Sequence, residues 1–300
     1  MIFNKYRQLS NANIRTLRLP TTFKHAQLSI TQPDQQNICK TCGTRYSNEK
    51  YAEDMCQVCL DDRQYVKASG QEWVSFNTLM EEHSIKMKQH SEELFEITIW
   101  PSFALGQRAF FIKSDQGNIL WDCIPLITEP IVSFIQQHGG VQAIAISHPH
   151  YYSLMDEWAK VFDAPVYIHQ DDQQWVMDSK ENILFWSGDT NPLTPKTTLI
   201  NTGGHFPGST VLHHQFRNTT PALFTGDSLY LSRDKKHLSA MYSFPNLIPL
   251  TNSKTEQVFA AIKSYDFDDI FGAFSGQDLY KGGRVVFENS LQRYRFAFRH

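Results

Sequence analysis

The chain lacks the features that mark membrane-spanning, secreted and repetitive proteins. No apolar run approaches the roughly 20 residues that a membrane-spanning helix needs. No internal repeat of solenoid period is visible. Residues 1–33 contain no acidic residue, but they also lack the continuous apolar segment of a secretory signal peptide. We therefore expect a cytoplasmic protein.

The composition has no surplus of charge of either sign. Hydrophobic residues make up 41% of the chain and the net charge is −3, values typical of a folded globular protein. This balance gives no reason to expect a nucleic-acid or membrane partner, so the expected partner is a small-molecule substrate. With 300 residues, the chain can form one large domain or two unequal ones around a buried core.

An apolar run, 141–147, leads directly into two histidines, His148 and His150. Two glycines precede the run, and its short length predicts a buried strand. Side chains at the carboxyl end of such a strand lie where open α/β sheets bind ligands. Residues two apart in an extended segment point to the same side, so the two imidazoles can chelate one metal ion. Taken alone, a His-x-His pair is more typical of histidines in a surface loop than of metal ligands.

Two further segments supply matching side chains. His205 stands among three glycines and a proline after the apolar pair 199–200. Asp227 ends the apolar run 222–226. Either segment alone is also typical of an ordinary β-turn. Together with the two earlier histidines, they predict a metal site built from strand ends.

These motifs resemble those of the metallo-β-lactamase superfamily. The matching residues are Asp122 at the end of a strand, His148 and His150 (family H-x-H-x-D-H), His205 (family G-G-H-x-P-G-S) and Asp227 (family T-G-D). The resemblance covers roughly residues 95–290. It implies an α/β fold, an αββα sandwich in which two sheets face each other and helices cover them. It also implies a metal ion held by the three histidines and Asp227.

The chain departs from the family pattern at the second metal subsite. Tyr152 and Ser153 stand where the family has an aspartate and a histidine. The last ligand of the family is a histidine after a late strand, but 270–277 contains none. After Asp227 the sequence contains only two histidines, His237 and His300, and neither follows a late strand as the family's last ligand does. We therefore expect a single ion, Zn²⁺ or Fe²⁺, at the histidine site.

The resemblance implies a metal-dependent hydrolase that uses a water molecule bound to this single ion. Zinc lowers the pKa of such a water to roughly 7, which makes a nucleophile near neutral pH. Asp227 is expected to bind the ion or orient the water. The hydroxyl of Tyr152, or that of Tyr151, is expected to donate a hydrogen bond to the developing oxyanion. Hydrolases of several ester, lactam and phosphodiester classes share these motifs, which leaves the substrate class open.

Two alternative functions remain at this stage. His148, His205 and Asp227 can form the two-histidine, one-carboxylate triad of a mononuclear non-haem iron oxygenase that acts on a thiol-derived substrate. The second alternative is a catalytically inactive domain whose cysteine module binds a partner.

Four cysteines form a second metal-binding pattern. Cys39, Cys42, Cys56 and Cys59 have the spacing C-x2-C-x13-C-x2-C, which is typical of a zinc-ribbon-like site. Four thiolates close the coordination of the ion, so this zinc is expected to be structural and to take no part in chemistry. The alternative, two disulfides, requires an oxidising compartment. The fifth cysteine, Cys123, is expected to be a buried hydrophobic side chain.

The chain is divided on this basis into four parts. We predict a basic extension at 1–37, a zinc-ribbon-like module at 38–62, a linker with a short helix at 63–94 and a metallo-β-lactamase-like domain at 95–300. Within the last part, Ser153 is expected to open a helix through a capping box. The proline-containing segment 241–250 is expected either to wall the pocket or to pack in the core.

Overall fold

The computed structural model describes residues 16–17, 35–47, 55–217 and 219–298. Within these ranges, no helix is long and apolar enough to cross a membrane. Most of the predicted basic extension lies outside the described residues.

The described residues form twenty strands, six α-helices and two 3-10 helices. In chain order the strands are β1 (Thr16–Leu17), β2 (Gln36–Cys39), β3 (Trp73–Ser75), β4 (Ser84–Gln89), β5 (Leu94–Trp100), β6 (Ala109–Ile112), β7 (Ile119–Trp121), β8 (Ala143–Ala145), β9 (Val166–His169), β10 (Ile183–Trp186), β11 (Thr190–Thr194), β12 (Thr197–Asn201), β13 (Thr210–His214), β14 (Ala222–Gly226), β15 (Tyr230–Leu231), β16 (Leu238–Ser239), β17 (Met241–Ser243), β18 (Ile248–Pro249), β19 (Asp269–Gly272) and β20 (Asp278–Leu279). The α-helices are α1 (Gln57–Leu60), α2 (Phe76–Glu82), α3 (Glu129–Gln137), α4 (Met155–Phe162), α5 (Asn252–Ile262) and α6 (Gly283–Ala297), and 3-10 helices span Pro149–Tyr151 and Gln170–Trp175.

Two large sheets face each other across an aromatic core. The first has the strand order β1-β4-β5-β6-β7-β8-β9-β10 and the second β11-β12-β13-β14-β19-β20. Phe110 and Trp121 from the first sheet share this core with Phe224 and Phe271 from the second. The rings of Phe110 and Phe224 lie 5.1 Å apart, edge to face. Burial of such large rings supplies much of the free energy that holds the two layers together.

Helices cover the outer face of each sheet. In α3, Ile131 and Ile135 are four residues apart, so they lie on one face of the helix and pack into the core of the first sheet. On the second sheet, Phe259 of α5 and Phe287 of α6 meet with ring centroids 5.3 Å apart. The four layers form an αββα sandwich, which confirms the predicted fold.

The predicted linker, 63–94, contains the expected short helix and two strands as well. Ser75 caps α2 by accepting a hydrogen bond from the Thr78 amide at 3.1 Å. Strand β3 pairs with β2 of the cysteine module, and β4 pairs with β5 over its whole length. The first large sheet therefore already includes residues before 95.

The capping box predicted at Ser153 is wrong. The residue at the N-cap of α4 is Leu154, and the Ser153 hydroxyl lies 3.5 Å from the Tyr151 carbonyl oxygen. A 3-10 turn runs into the helix here, and the Met155 amide donates to the carbonyl of Tyr152 at 3.0 Å. The preceding turn thus satisfies an amide group that a serine cap would otherwise have to satisfy.

Candidate metal centre

Strand ends from both sheets bring the predicted ligands together. His148 and His150 follow β8 of the first sheet, where the 3-10 turn begins. His205 lies in the loop between β12 and β13 of the second sheet, and Asp227 directly follows β14. The Thr210 amide donates to the Ser147 carbonyl at 2.8 Å and ties the two sheets at this point. All four side chains are buried.

Four donor atoms face one another at distances that suit one ion. His150 Nδ1 lies 3.2 Å from His148 Nε2 and 3.4 Å from His205 Nε2. Asp227 Oδ2 lies 3.4, 3.9 and 4.0 Å from the donor nitrogens of His148, His150 and His205, respectively. A tetrahedral ion about 2.1 Å from each ligand separates the ligand atoms by about 3.4 Å. The four side chains therefore fit a single metal ion.

Hydrogen bonds to the outer nitrogens orient two of the imidazoles. His205 Nδ1 lies 2.8 Å from the Tyr242 carbonyl oxygen, so Nδ1 carries the proton and Nε2 presents its lone pair. His148 Nδ1 lies 2.8 Å from the Ser147 hydroxyl oxygen. Both rings thus turn Nε2 toward the cluster.

Burial and neighbouring charge set the ionisation of the ligands. Burial lowers the pKa of His150, and it lowers the pKa of His205 far below its usual range, with further lowering from the other imidazoles. Burial alone would raise the pKa of the Asp227 carboxyl, but hydrogen bonds from His148 and His150 bring it below its usual range. Neutral imidazole and ionised carboxylate are the forms that bind a metal ion.

Asp122 supports the ligand loop from behind. Its Oδ1 accepts a hydrogen bond from the Ser147 amide at 2.7 Å, and its own amide donates to the Ala145 carbonyl at 2.8 Å. Its backbone has a positive φ of 62°. The carboxylate thus ties the end of β7 to the residue that precedes His148, and it lies outside the cluster of donor atoms.

The two candidate catalytic tyrosines point into the core. The Tyr151 hydroxyl donates to the Ala273 carbonyl at 2.7 Å, and its ring lies 5.2 Å from that of His148. The Tyr152 side chain is buried in the core of the first sheet. The pocket wall formed by the described residues includes neither tyrosine. The catalytic role of both residues stays a prediction, and the Tyr151 proton is engaged elsewhere.

A network of charged side chains lies against Gly272, in the segment where the family has its last histidine ligand. Arg108 Nε and Nη2 donate to the Gly272 carbonyl at 3.0 and 2.8 Å. The same guanidinium pairs with Glu96 at 3.0 Å and Asp278 at 2.8 Å, and His90 lies 2.8 Å from Glu96. Arg108 thus pairs with both buried carboxylates, and Lys88 Nζ adds a second positive charge 3.4 Å from Asp278. No local pattern in the sequence indicates this network.

The four cysteines form a second cluster of metal ligands. Sγ of Cys39 lies 3.6 Å from that of Cys59, and Sγ of Cys42 lies 3.5 Å from that of Cys56. All five cysteines of the chain lie in the described ranges, and none is paired in a disulfide. Tetrahedral Zn–S bonds of about 2.3 Å place the sulfurs about 3.8 Å apart, close to these separations. Cys123 is fully buried, as expected.

The chain that follows the second cysteine pair contacts the histidine site. Arg63 Nε donates to the backbone carbonyl of His205 at 2.5 Å. Its guanidinium lies 4.3 Å from the centre of the Phe206 ring and 4.5 Å from that of Tyr242. Asp61 accepts two hydrogen bonds from Arg63 Nη1, at 2.8 and 2.9 Å. The residues from 63 onward are predicted as a linker, and nothing in the sequence indicates these contacts with the histidine site.

Gln107 connects the two clusters directly. Its side-chain Nε2 donates to the carbonyl oxygen of Cys42 at 3.1 Å and to that of His150 at 3.3 Å. The glutamine is buried, so these bonds are shielded from water. One ligand from each cluster is thus held by the same side chain.

A pocket of about 310 Å³ opens onto His150, His205 and Asp227. The segment 241–250 contributes to its wall through Phe244 and Pro245, so the prediction of a wall is confirmed for these residues. Other wall residues come from the cysteine module and the chain after it, namely Thr41, Gln64, Tyr65 and Lys67. The pocket therefore lies between the sandwich and the module.

Comparison with known proteins gives one close relative and a shared fold. No family model matches the sequence. The chain is 41% identical over 262 residues to the uncharacterized protein YmaE of Bacillus subtilis (strain 168), a match that covers 85% of this chain and 93% of YmaE. The crystal structure of VMB-1 superposes with a TM-score of 0.52 at 12% identity and covers 72% of this chain and 98% of VMB-1. A metallo-β-lactamase of Cronobacter sakazakii has a TM-score of 0.48 at 13% identity, over 69% of this chain and 90% of that enzyme.

Proposed function

The chain belongs to the family of Bacillus subtilis YmaE and has the metallo-β-lactamase fold, and on this premise we propose that it is a metal-dependent hydrolase. One observation carries the proposal. Three imidazole nitrogens and one carboxylate oxygen face one another at 3.2 to 4.0 Å where a pocket of about 310 Å³ ends. A divalent ion bound there lowers the pKa of water to about 7 and supplies a nucleophile at neutral pH.

The side chains around the cluster hold it in one arrangement. All four side chains are buried, the pKa values of His150 and His205 are lowered by that burial, and the pKa of the Asp227 carboxyl is lowered by its imidazole neighbours, so the cluster favours a bound cation. Asp227 Oδ1 is buried and has no hydrogen-bond partner among the described residues. With an ion bound, this oxygen would accept a hydrogen bond from a water molecule at the site and so orient that water toward a substrate in the pocket.

Two features support a single ion at the histidine site. Neutral hydroxyl groups at Tyr152 and Ser153 are weak ligands beside imidazole and carboxylate. The guanidinium of Arg108 lies against the carbonyl of Gly272, in the segment where the family's last ligand falls. A guanidinium has only hydrogen-bond donors and cannot be a ligand for a second cation.

The third imidazole supports hydrolysis over the oxygenase alternative. A facial triad uses two histidines and one carboxylate and leaves the other positions open. Here His150 Nδ1 lies within 3.4 Å of both His148 Nε2 and His205 Nε2, so it joins the same ligand set. A set of three histidines is typical of ions that activate water.

Elemental analysis combined with hydrolysis assays tests the proposal. We expect two metal ions per chain, zinc in the four-cysteine site and one ion at the histidines, and we expect His205→Ala to retain only the first. Chromogenic ester, thioester and phosphodiester substrates should be screened, and any hydrolysis should disappear in His205→Ala. Hydrolysis that persists in this variant, or oxygen uptake by an iron-loaded protein that hydrolyses none of the panel, contradicts the proposal. A third ion lost together with the histidine metal contradicts the single-ion site.

A further inference from the structure

The chain after the cysteine module brings two polar side chains to an otherwise apolar part of the pocket. Leu105, Phe244 and Phe274 form apolar surface beside the metal ligands. Gln64 and Lys67 lie in the same wall. Asp227 is the acidic residue of this wall, and it belongs to the metal cluster.

Gln64 has an unused hydrogen-bonding group. The residue is only 4% exposed, and its side-chain Oε1 has no hydrogen-bond partner among the residues that the structure describes. A buried amide oxygen without a partner is destabilising, because it has lost its hydrogen bonds to water. A carboxylate only accepts hydrogen bonds, so a ligand carboxylate in the pocket would accept from the amide nitrogen Nε2, in this orientation or after a flip of the amide.

The position of Gln64 is fixed by its backbone. Asn246 Nδ2 donates to the carbonyl oxygens of both Asp62 and Gln64, each at 2.9 Å. The Ser243 hydroxyl donates to the Arg63 carbonyl at 3.2 Å. The loop is therefore held against the opposite pocket wall, and the backbone of Gln64 is fixed in place there.

Lys67 supplies one positive charge. Its ammonium has no ion-pair partner within 4 Å in the described part of the chain, and it is the one lysine or arginine of the pocket wall that these residues form. The nearby Glu72 pairs instead with Lys40, at 3.4 Å. A single half-buried ammonium matches a singly charged anion, such as a carboxylate.

We propose that Gln64 and Lys67 form a recognition subsite for a carboxylate group of the substrate, beside the metal-binding histidines. The proposal rests on the proposed function and names the class of substrate, a small molecule with an apolar body, a hydrolysable bond and a carboxylate. Lys67 pairs with the carboxylate, and the Gln64 amide hydrogen-bonds to it or to the adjoining polar group.

A pair of isosteric thiols tests the subsite without turnover. The probes are 3-mercaptopropionate and 3-mercaptopropionamide, whose thiolates are ligands for zinc and whose other ends differ in charge. Calorimetric titration into the metal-loaded full chain should show about tenfold tighter binding of the carboxylate, which corresponds to 1.4 kcal/mol. Lys67→Met should abolish this preference, and Lys113→Met, a half-buried lysine outside this pocket, should retain it.

Gln64→Met adds a readout that a structural role would not give. The variant should bind both thiols more weakly, and its Tm should rise by about 2 °C, because a buried amide without a partner is replaced by an apolar side chain. A fall in Tm with unchanged thiol binding overturns the role of Gln64.

The outcomes separate this proposal from the proposed function. Equal affinity of wild type for the two thiols, or a carboxylate preference that survives in Lys67→Met, overturns the subsite and leaves the metal site standing. Thiol binding that persists in His205→Ala, or no binding of either thiol, overturns the metal site and the subsite together. Metal content of each variant, measured on the same samples, shows whether the histidine ion is present.

Discussion

Arg63 donates a hydrogen bond from Nε to the backbone carbonyl of His205 across 142 residues of sequence. The arginine belongs to the chain that follows the cysteine module, and the histidine belongs to a loop of the second sheet. The guanidinium also stacks on Phe206 and Tyr242, whose carbonyl holds the outer nitrogen of His205. His205 is therefore held from two sides, by Arg63 at its backbone carbonyl and by the Tyr242 carbonyl at its ring.

Arg63→Met should weaken metal binding at the histidine site. The substitution removes the bond to the His205 carbonyl, and the loss of contacts that orient a ligand typically lowers metal affinity about 10- to 100-fold. Chelator competition followed by elemental analysis measures the affinity of each site. The control is Arg217→Met, an arginine with a 59% exposed side chain that lies 3.8 Å from Asp115. Equal affinity in Arg63→Met and the control would contradict the prediction.

Asp227 should matter more than Asp122 for metal retention. Asp227 Oδ2 is one of the clustered donor atoms, whereas Asp122 binds the Ser147 amide. Asp227→Ala should lose the histidine ion, and Asp122→Ala should keep it with a lower free energy of unfolding, because a buried amide loses its partner. Metal content and urea unfolding of both variants check the prediction. Equal metal retention would show that Asp227 is not a ligand.

Cys42→Ala should affect both clusters. Three thiolates bind zinc less tightly than four, and the lost binding free energy is lost folding free energy for the module. Because Gln107 binds the carbonyls of Cys42 and His150, we also expect a weaker histidine site. Cys123→Ala is the matched control, since Cys123 is buried and lies outside the cluster. Loss of the cysteine metal with unchanged affinity at the histidines would limit the module to a structural role.

Asp172→Asn should stabilise the protein increasingly as the pH rises from about 4 to 7. Asp172 Oδ1 accepts from the Gly208 amide at 2.8 Å, and burial raises the pKa of the carboxyl to about 7, above the ordinary 3.8. Between these values the folded state binds a proton that the unfolded state does not, so wild-type stability falls as the pH rises through this window. The neutral amide escapes this loss, which amounts to at most about 4 kcal/mol over three pH units.

Urea unfolding of metal-loaded protein at several pH values measures this difference for Asp172→Asn. Asp189→Asn, at an exposed aspartate, is the control and should show no such pH dependence. A constant difference between Asp172→Asn and wild type from pH 5 to 8 would show that the Asp172 carboxyl is not protonated in the folded state.

The sequence predicts the ligands because each of them belongs to a local pattern. A short apolar strand followed by His148, or by Asp227, places a side chain at the edge of a sheet whatever the rest of the chain does. The spacing of Cys39 and Cys42 likewise turns two thiolates toward one ion. The αββα sandwich follows from the resemblance that these motifs carry, and the structure confirms it.

Contacts between distant segments leave no such pattern. Gln107 reaches the carbonyls of residues 65 and 43 positions away, and its neighbours in sequence give no sign of this. The directions of Tyr151 and Tyr152 depend on the 3-10 turn that precedes α4. No residue pattern in the sequence predicts this turn. For the same reason the serine cap was assigned wrongly at Ser153.

The loop that carries Gln64 and Lys67 lies outside both sheets of the sandwich. Substitutions at Gln64 and Lys67 alter the pocket wall without removing a metal ligand, the contact of Arg63 with His205 or a side chain of the aromatic core. Evolution can therefore change what the proposed subsite recognises by varying these two positions, while the cluster of three histidines and Asp227 stays the same.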